Sequence, residues 1–398
     1  MTKKISEPAG LIHAGPAERK RAMGGHTCRA CRGQAGHQVL DLGEQPACDY
    51  FPPADAPGPD PVYPLRMWLC SSCGLAQLMS DPTVPEEPRG AEPAALVAQA
   101  ADAVERVAAA GLLTADARVA EYGSPHGGSW LELLGRRGVA TVPDGEPAEV
   151  VLDCFGLMHA ADQSAALSER VARVAPGGVL LLQYHALDAI LGAGQWNALR
   201  HGHYAYYSAT ALAAMLTAQG FSPRRAWRFD LYGGTVLLAA SRDAAGAQPP
   251  PDDSVRSLFA LDAQAGVRDP LALRALQRDA QDRAQGLRDW LLTERSAGKT
   301  VLGYGAASRA VALLRWAGAD RSLIRAVVDA SPAKQGRRMP GTDIPVVGPD
   351  RLGSERPAAV VLFLADLLPE VRATFPGVEA AGGRWVNVEM LRSGSAVG

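Results

Sequence analysis

The sequence predicts an α/β protein in three parts: a small cysteine-rich module followed by two sheets of Rossmann type. Three observations carry that expectation. Two Cys-x-x-Cys steps, Cys28 to Cys31 and Cys70 to Cys73, stand in a segment rich in Pro and Gly. A short apolar run, Arg118-Val-Ala-Glu-Tyr122, passes through a glycine turn into a helical pattern. A second run, Thr300-Val-Leu-Gly-Tyr-Gly305, does the same nearer the C-terminus. At 398 residues the chain is too long for one ordinary domain. Shifts in composition place a flexible tail at 1–23, the cysteine module at 24–90, a central domain at 91–243 and a C-terminal domain at 244–398.

Composition narrows the function classes. Apolar residues make up 47% and charged residues 21%, the balance of a folded globular chain. Lys and Arg number 40 against 42 Asp and Glu, for a formal charge of −2, which argues against a nucleic-acid partner. Apolar stretches such as Ala359 to Leu364 are far shorter than the roughly 20 residues a bilayer span needs. The start, Met1-Thr-Lys-Lys-Ile, has no apolar signal region, so the expected location is cytoplasmic.

In the first module, Cys28, Cys31, Cys70 and Cys73 supply two matched pairs, with Gly33 and Gly74 placed to turn each knuckle. Four thiolates suit tetrahedral zinc in a closed, structural site; the alternative is incidental redox or free thiols. Residues 24–90 show little core of their own, so a metal staple is expected to supply what burial does not. Cys48 and Cys154 fall outside the pattern and read as packed thiols.

The central domain begins with a helical apolar pattern through Leu96, Val97, Ala100, Val104 and Val107. After the strand ending at Tyr122 come Gly123-Ser-Pro-His-Gly127-Gly128 and a helix from Trp130 to Arg137. An acid at a strand end followed by such a turn is the first element of a nucleotide-binding sheet: the backbone approaches a ligand and the helix start offers N–H donors. Gly138 to Val142 reads as the next strand, with Asp144 beyond it placed for ribose hydroxyls. Strands at 150–155 and 179–184, a helix at 209–219 and two antiparallel runs at 224–229 and 235–240 follow. That order is a class I methyltransferase-like sheet, here reduced. Only 22 residues separate Gly127 from Val150, too few for another strand–helix step in a unit that takes roughly 30 residues.

A Pro-rich connector, Arg242 to Asp253, leads to helical patterns reaching about Ser296, with Leu287, Trp290 and Leu291 on one face. Then come the strand ending at Gly305, a helix over 308–316 and a strand over 324–329 closing on Asp329. This is a Rossmann half-unit, with Gly305 at the turn and Asp329 placed for a ribose hydroxyl. Lys334 and Arg337 in Lys334-Gln-Gly-Arg337 suit a sugar diphosphate, Arg through a forked contact; the bland alternative is a solvated basic turn. Strands at 358–364 and 385–389 complete the sheet.

Several stretches, in order along the chain, carry a family resemblance. They are the two Cys pairs, Leu40-Asp-Leu-Gly43, Tyr63-Pro-Leu65, Cys73-Gly-Leu-Ala-Gln-Leu78, Glu121-x-Gly-Ser, His201-Gly-His203-Tyr-Ala-Tyr-Tyr-Ser208, Gly233-Gly234, Gly303-Tyr-Gly305-Ala-Ala and Lys334-Gln-Gly-Arg337. With these the chain resembles the zinc-binding, S-adenosylmethionine-dependent nucleotide-sugar C-methyltransferases, which act at C-3 of 4-keto-deoxyhexoses in antibiotic-sugar biosynthesis. The resemblance implies S-adenosylmethionine on the central sheet at Glu121, Gly123, Gly127 and Asp144, and a nucleotide-diphosphate sugar between the lobes. It also implies that His203 removes the proton beside the keto group, a task suited to an imidazole near neutral pH.

Departures from the family pattern gather at that same site. Arg200 and Gly202 stand where the pattern has Tyr and Glu, and Cys154 and Phe155 stand where it has an Asn pair. Residues 79–94 contain no Tyr, and the short 127–150 interval removes one wall of the adenine pocket. Arg200 and Tyr206, flanking His203, are the remaining catalytic candidates. Three readings stand: C-methylation of a nucleotide-linked keto-deoxysugar, a donor-independent isomerase or epimerase acting through the same proton abstraction, and a non-catalytic sugar-nucleotide-binding partner.

Overall fold

The computed structural model describes residues 26–56, 58–83, 94–114, 116–125, 127–242 and 250–394. The expected tail at 1–23 lies outside these, as does most of the segment just before the central domain. Among the described residues no helix is long and apolar enough to cross a membrane.

The first sheet is antiparallel and runs β1 (Gly36–Pro46), β2 (Val62–Cys70), β3 (Ala76–Leu78). Its fourth strand, β8 (Ala205–Tyr206), comes from the central part of the chain and pairs with β3. The expectation of little core at 24–90 is corrected here. Leu42, Phe51, Leu65, Met67 and Leu69 are buried in one cluster with Leu276, Leu287, Val311 and Leu314. The module has a core, but it shares that core with helices more than two hundred residues away, and local composition is blind to such partners.

The central sheet has the order β5-β4-β6-β7-β10-β9 and is parallel except for β10. Its strands are β4 (Arg118–Tyr122), β5 (Ala140–Thr141), β6 (Ala148–Cys154), β7 (Val174–His185), β9 (Ser222–Phe229) and β10 (Thr235–Ser241). Period-two alternation sorts its two faces. Val179 and Leu181 of β7 pack with α1 (Ala94–Ala109) and α2 (Leu131–Arg136). Leu180 and Leu182 pack with α3 (Gln163–Ala172) and α5 (Ala209–Ala218), while α4 (Leu187–Gly192) follows β7 directly. Asp162 and Ser208 cap α3 and α5 by accepting the N–H of Ala165 and Ala211. The strand expected over 138–142 is reduced to the two residues of β5, both exposed, and among the described residues no strand lies beyond them. The chain returns to β6 at once, and among the described residues no strand pairs with that edge.

Helix α6 (Asp253–Ala265) packs back onto the central sheet through Val255 and Leu258. A short α7 (Pro270–Leu273) precedes α8 (Ala275–Ser296), which crosses α9 (Ser308–Trp316). Leu287, Trp290 and Leu291 are buried as their spacing predicts. Gly286 lets the returning chain cross α8: a Cβ there would sit 2.5 Å from the backbone of Arg392.

The third sheet is wholly parallel in the order β13-β12-β11-β14-β15. It comprises β11 (Val301–Tyr304), β12 (Val327–Val328), β13 (Val346–Val347), β14 (Ala359–Leu362) and β15 (Arg384–Asn387), with α10 (Asp350–Glu355), α11 (Leu368–Thr374) and α12 (Gly377–Ala380) between the later strands. The strand expected over 324–329 shrinks to Val327–Val328 because the Asp320 carbonyl holds the N–H groups of Leu323 and Ile324 in a turn.

Candidate functional site

Four cysteine sulfurs converge at one end of the first sheet. Cys28 and Cys73 Sγ lie 3.6 Å apart, as do those of Cys31 and Cys70, and all four lie within 4.8 Å of one another. A zinc ion with Zn–S bonds of 2.3 Å sets tetrahedral edges of about 3.8 Å. The donor set therefore fits zinc, and the separations are too long for disulfides. The Cys73 contact pulls the Cys28 thiol down to about 4 against the effect of burial, so one ligand is already thiolate-like. Gln77 Nε2 also donates to Cys28 Sγ at 3.3 Å, while its Oε1 accepts the N–H of Arg29.

Gln77 sits on β3, opposite Ala205 of β8. The metal cluster is thus linked through two strands to the segment that holds His203. Leu78 N–H donates to the Tyr204 carbonyl, Asp81 accepts the Gly202 N–H at 2.5 Å, and Tyr204 N–H reaches the Met158 carbonyl at 2.7 Å. His203 is buried at the C-terminal ends of the central strands. Arg200 Nη2 lies 2.8 Å from His203 Nε2, and Arg200 Nη1 donates to Ser308 Oγ at the start of α9. The same Nη2 lies 3.4 Å from His203 Nδ1, so the guanidinium rests over the face of the imidazole, nearest Nε2.

The partner that sequence reasoning missed is His159. Its ring meets that of His203 edge-on with centroids 4.6 Å apart. Nδ1 contacts the Gly202 carbonyl at 2.9 Å, and Nε2 faces Ser124 Oγ at 3.5 Å. A carbonyl only accepts, so Nδ1 carries a proton, and Nε2 faces the glycine turn. The loop holding His159 is braced from below. Buried Asp153 accepts from Leu157 N and from Arg170 Nε at 2.6 Å, and Gln163 Nε2 donates to the carbonyls of Leu157 and Ala160. Tyr207 donates to Gln163 in turn. The available signal was positional: a histidine a few residues past the C-terminal end of a central parallel strand, where open α/β sheets place ligands.

The other expected residues have defined partners. Tyr206 is buried, its hydroxyl accepts the Arg200 N–H at 3.1 Å, and burial pushes its pKa up. It braces the loop. Glu121 accepts from Ser129 Oγ and Trp130 N, both at 2.6 Å, so it closes the turn onto α2. Gly123 and Gly127 are exposed on that turn, Gly127 at φ 99°, open to a backbone approach. Asp144 is exposed, 3.9 Å from Arg173.

In the third sheet, Gly305 turns at φ 86°. Asp329 accepts from Ala306 N and Ser331 N, which commits both of its oxygens to the turn instead of leaving them for a ribose. Lys334 and Arg337 depart from the expected diphosphate cradle. Lys334 is buried, with Nζ donating to the Ala306 carbonyl over the Phe51 ring; Arg337 donates to the carbonyls of Ala333 and Phe51. The Arg337–Phe51 bond and the Lys334–Phe51 contact join the C-terminal domain to the first module.

Comparison with known families follows the same three-part division. A zinc binding domain model matches residues 28–87, a methyltransferase domain model 94–225, and a C-methyltransferase C-terminal domain model 230–388. In order, the three models span the chain from residue 28 to residue 388. The C-methyltransferase NovU of Streptomyces niveus is 25% identical over 413 residues, covering 90% of this chain and 94% of NovU. Solved structures align less well. A methyltransferase from Thermotoga maritima covers 37% of this chain and 91% of its own at 16% identity and TM-score 0.28. Magnesium protoporphyrin IX methyltransferase of Synechocystis covers 36% and 83% at 17% identity and TM-score 0.28. At scores this low the overlaps add nothing to the assignment.

These matches make the chain an enzyme whose central domain has the S-adenosylmethionine-binding fold. The residues present accommodate that donor in part. The exposed turn at Gly123 and Gly127 suits the amino-acid end. The two-residue edge strand leaves the adenine without a wall among the described residues. The loops after β4 and β6 are also in close contact: a Cβ on Gly156 would lie 2.8 Å from the Gly123 carbonyl.

Proposed function

We propose that the site removes a proton from the carbon beside a keto group of a nucleotide-linked deoxysugar, the enolising half of the C-methylation that the family resemblance implies. The observation that supports this most is the pair of histidines in edge-on contact, half-buried His159 and buried His203, beside a guanidinium at the mouth of the central sheet. In the proposed step an imidazole Nε2 takes the proton, the C–H pair moves into the ring, and the keto oxygen gains the charge. Arg200 is the donor within reach of that oxyanion. The catalytic assignment is His203 and His159, with Arg200 as electrostatic partner and Tyr206 as the brace that orients it. Gly305 and its neighbours present the C-terminal domain to the nucleotide.

A second reading has its own observation. The short edge at β5 and the contact between Gly123 and Gly156 favour a donor-independent isomerase or epimerase, in which the proton returns to the same carbon from the other face. Titration calorimetry with S-adenosylmethionine and S-adenosylhomocysteine separates the two. Micromolar binding supports methylation, whereas no binding together with solvent-deuterium uptake beside the keto group supports the second. Loss of exchange in His203→Ala is expected under both, and unchanged exchange would remove the base assignment.

A further inference from the structure

Four residues other than glycine have left-handed backbones among the described residues: Arg32, Phe155, Tyr232 and Arg356. Arg32 follows the Cys28–Cys31 knuckle, and Arg356 ends α10, a common place for such a turn. The other two, Phe155 at φ 59° and Tyr232 at φ 56°, are aromatic, and their rings meet at 6.3 Å with 64° between the planes. A bulky side chain is disfavoured at such angles, which glycine and asparagine adopt more readily, and residues held this way gather at ligand sites. Phe155 follows the last residue of β6 and Tyr232 lies just past β9, so both stand at the C-terminal mouth of the central sheet. Each is half-buried, which leaves ring surface open. The Arg309 guanidinium lies over the Tyr232 ring, 5.2 Å from its centroid, and holds it from the side of α9. Contacts connect this corner to the histidine pair in both directions. Arg309 shares a crevice with Arg200, whose Nη2 lies 2.8 Å from His203 Nε2. His203 meets His159 edge-on, and His159 stands four residues past Phe155 in the turn after β6. These residues rim one mouth.

On the reading that the substrate is a nucleotide-linked keto-deoxysugar, we propose that Phe155 and Tyr232 form the wall against which the sugar ring rests. The face of an aromatic ring is the negative part of its quadrupole and attracts polarised C–H groups. A pyranose with a ketone presents several of these on one side, and a deoxy carbon adds a methyl group with no hydrogen-bonding demand. Two rings inclined at 64° make a corner instead of a slot. A corner suits a puckered, saturated ring, whereas a flat nucleobase stacks on parallel faces. With the C–H face against the wall, the keto oxygen is left to Arg200 and the acidic C–H to the histidines. The wall therefore selects for the sugar, and the nucleotide lies outside it.

The test uses the full-length, zinc-loaded protein and a 4-keto-6-deoxyhexose linked in turn to thymidine, uridine, guanosine and cytidine diphosphate. The probe that binds tightest by calorimetry is compared with its nucleoside diphosphate alone. Phe155→Leu and Tyr232→Leu are each expected to weaken the sugar nucleotide about tenfold and to leave the bare nucleotide within about twofold, a split that general loss of structure would not give. Phe155→Tyr and Tyr232→Phe keep the rings and are expected to keep wild-type affinity. Asparagine, which tolerates these backbone angles, serves at either position if leucine does not fold. In saturation-transfer NMR, irradiation of the aromatic protons is expected to reach the sugar C–H and methyl protons more strongly than the ribose. Unchanged affinity in both folded Leu variants, or equal weakening of the bare nucleotide, overturns the proposal. Failure of the functional reading is distinguishable: there no probe binds the wild-type chain, and the proposal falls with it.

Discussion

The pair Asp60–Arg338 gives the sharpest test of how the first module is fastened to the C-terminal domain. Arg338 Nη1 and Nη2 reach the two oxygens of Asp60 at 2.7 and 2.6 Å, and the Gly341 N–H adds a third bond at 2.7 Å. The side chains are 6% and 9% exposed. Asp60→Asn keeps the volume and one acceptor but removes the counter-charge, leaving Arg338 with only the Thr342 carbonyl as its other acceptor. Breaking a buried pair from one side costs about 3–5 kcal/mol. At roughly 2–4 °C per kcal/mol for units of this size, the calorimetric transition is expected to fall by roughly 10 °C. The double variant Asp60→Leu/Arg338→Met removes both charges and is expected to recover most of the loss.

The pH dependence follows with a definite sign. Burial pushes the Asp60 carboxyl up, but the Arg338 and Gly341 bonds outweigh it and hold it below the ordinary carboxylate value. A group depressed in the folded state stabilises above its unfolded pKa and loses that stabilisation as pH falls through the folded one. The contribution is therefore intact at neutral pH and disappears below about 4. A single variant within about 1 kcal/mol of wild type, or a double variant as unstable as the single, would refute the reasoning.

Other outcomes are expected from the same contacts. Chelation of the metal, or Cys31→Ser, releases the β3–β8 pairing and lowers both helical ellipticity and activity; metal analysis showing less than one zinc per chain in the active protein would contradict this. His159→Gln should abolish deuterium exchange with little change in melting temperature, because the ring sits on a loop braced independently by Asp153 and Gln163. Gly286→Ala forces the backbone at Arg392 to move and is expected to destabilise by about 1–3 kcal/mol, read from urea midpoints. Lys334→Met should destabilise by about 1–3 kcal/mol, read from urea midpoints, because it removes the buried ammonium that donates to the Ala306 carbonyl.

Elements with a strong local pattern were legible in the sequence. The strand Arg118–Tyr122 and the helix Ser308–Trp316 occupy the residues that their periodicity and flanking glycines specify. So does the antiparallel end of the central sheet, and the four-cysteine cluster follows from spacing alone. Long-range dependence limited the rest. The first module's core is completed by α8 and α9, which no window over 24–90 contains. Lys334 and Arg337 look like a phosphate loop until the carbonyls of Phe51 and Ala306 arrive from elsewhere in the fold. His159 carries no motif of its own and becomes legible only when the loops after β4, β6 and β7 meet.

The position of the four-cysteine cluster ties the metal-binding module to the loop that holds His203. His203 lies in an irregular stretch between a short 3-10 turn at Trp196–Ala198 and the two-residue strand β8, which has little stability of its own. What fixes it is a chain of contacts: thiolates to Gln77, Gln77 on β3 to β8, Leu78 to Tyr204, and Asp81 to Gly202. Each is a single bond of about 0.5–1.5 kcal/mol, too weak alone to hold an imidazole against thermal motion. Anchoring their origin on a metal cluster makes them act together, because β3 cannot fray without dislodging a ligand. On the far side, Arg200 ties the same loop to α9 through Ser308. His203 is thereby suspended between two domains, and a relative shift of either changes the distance from Arg200 to His203. The adenine edge of the central sheet carries none of these contacts, so the chain can lose that edge without disturbing the histidine pair.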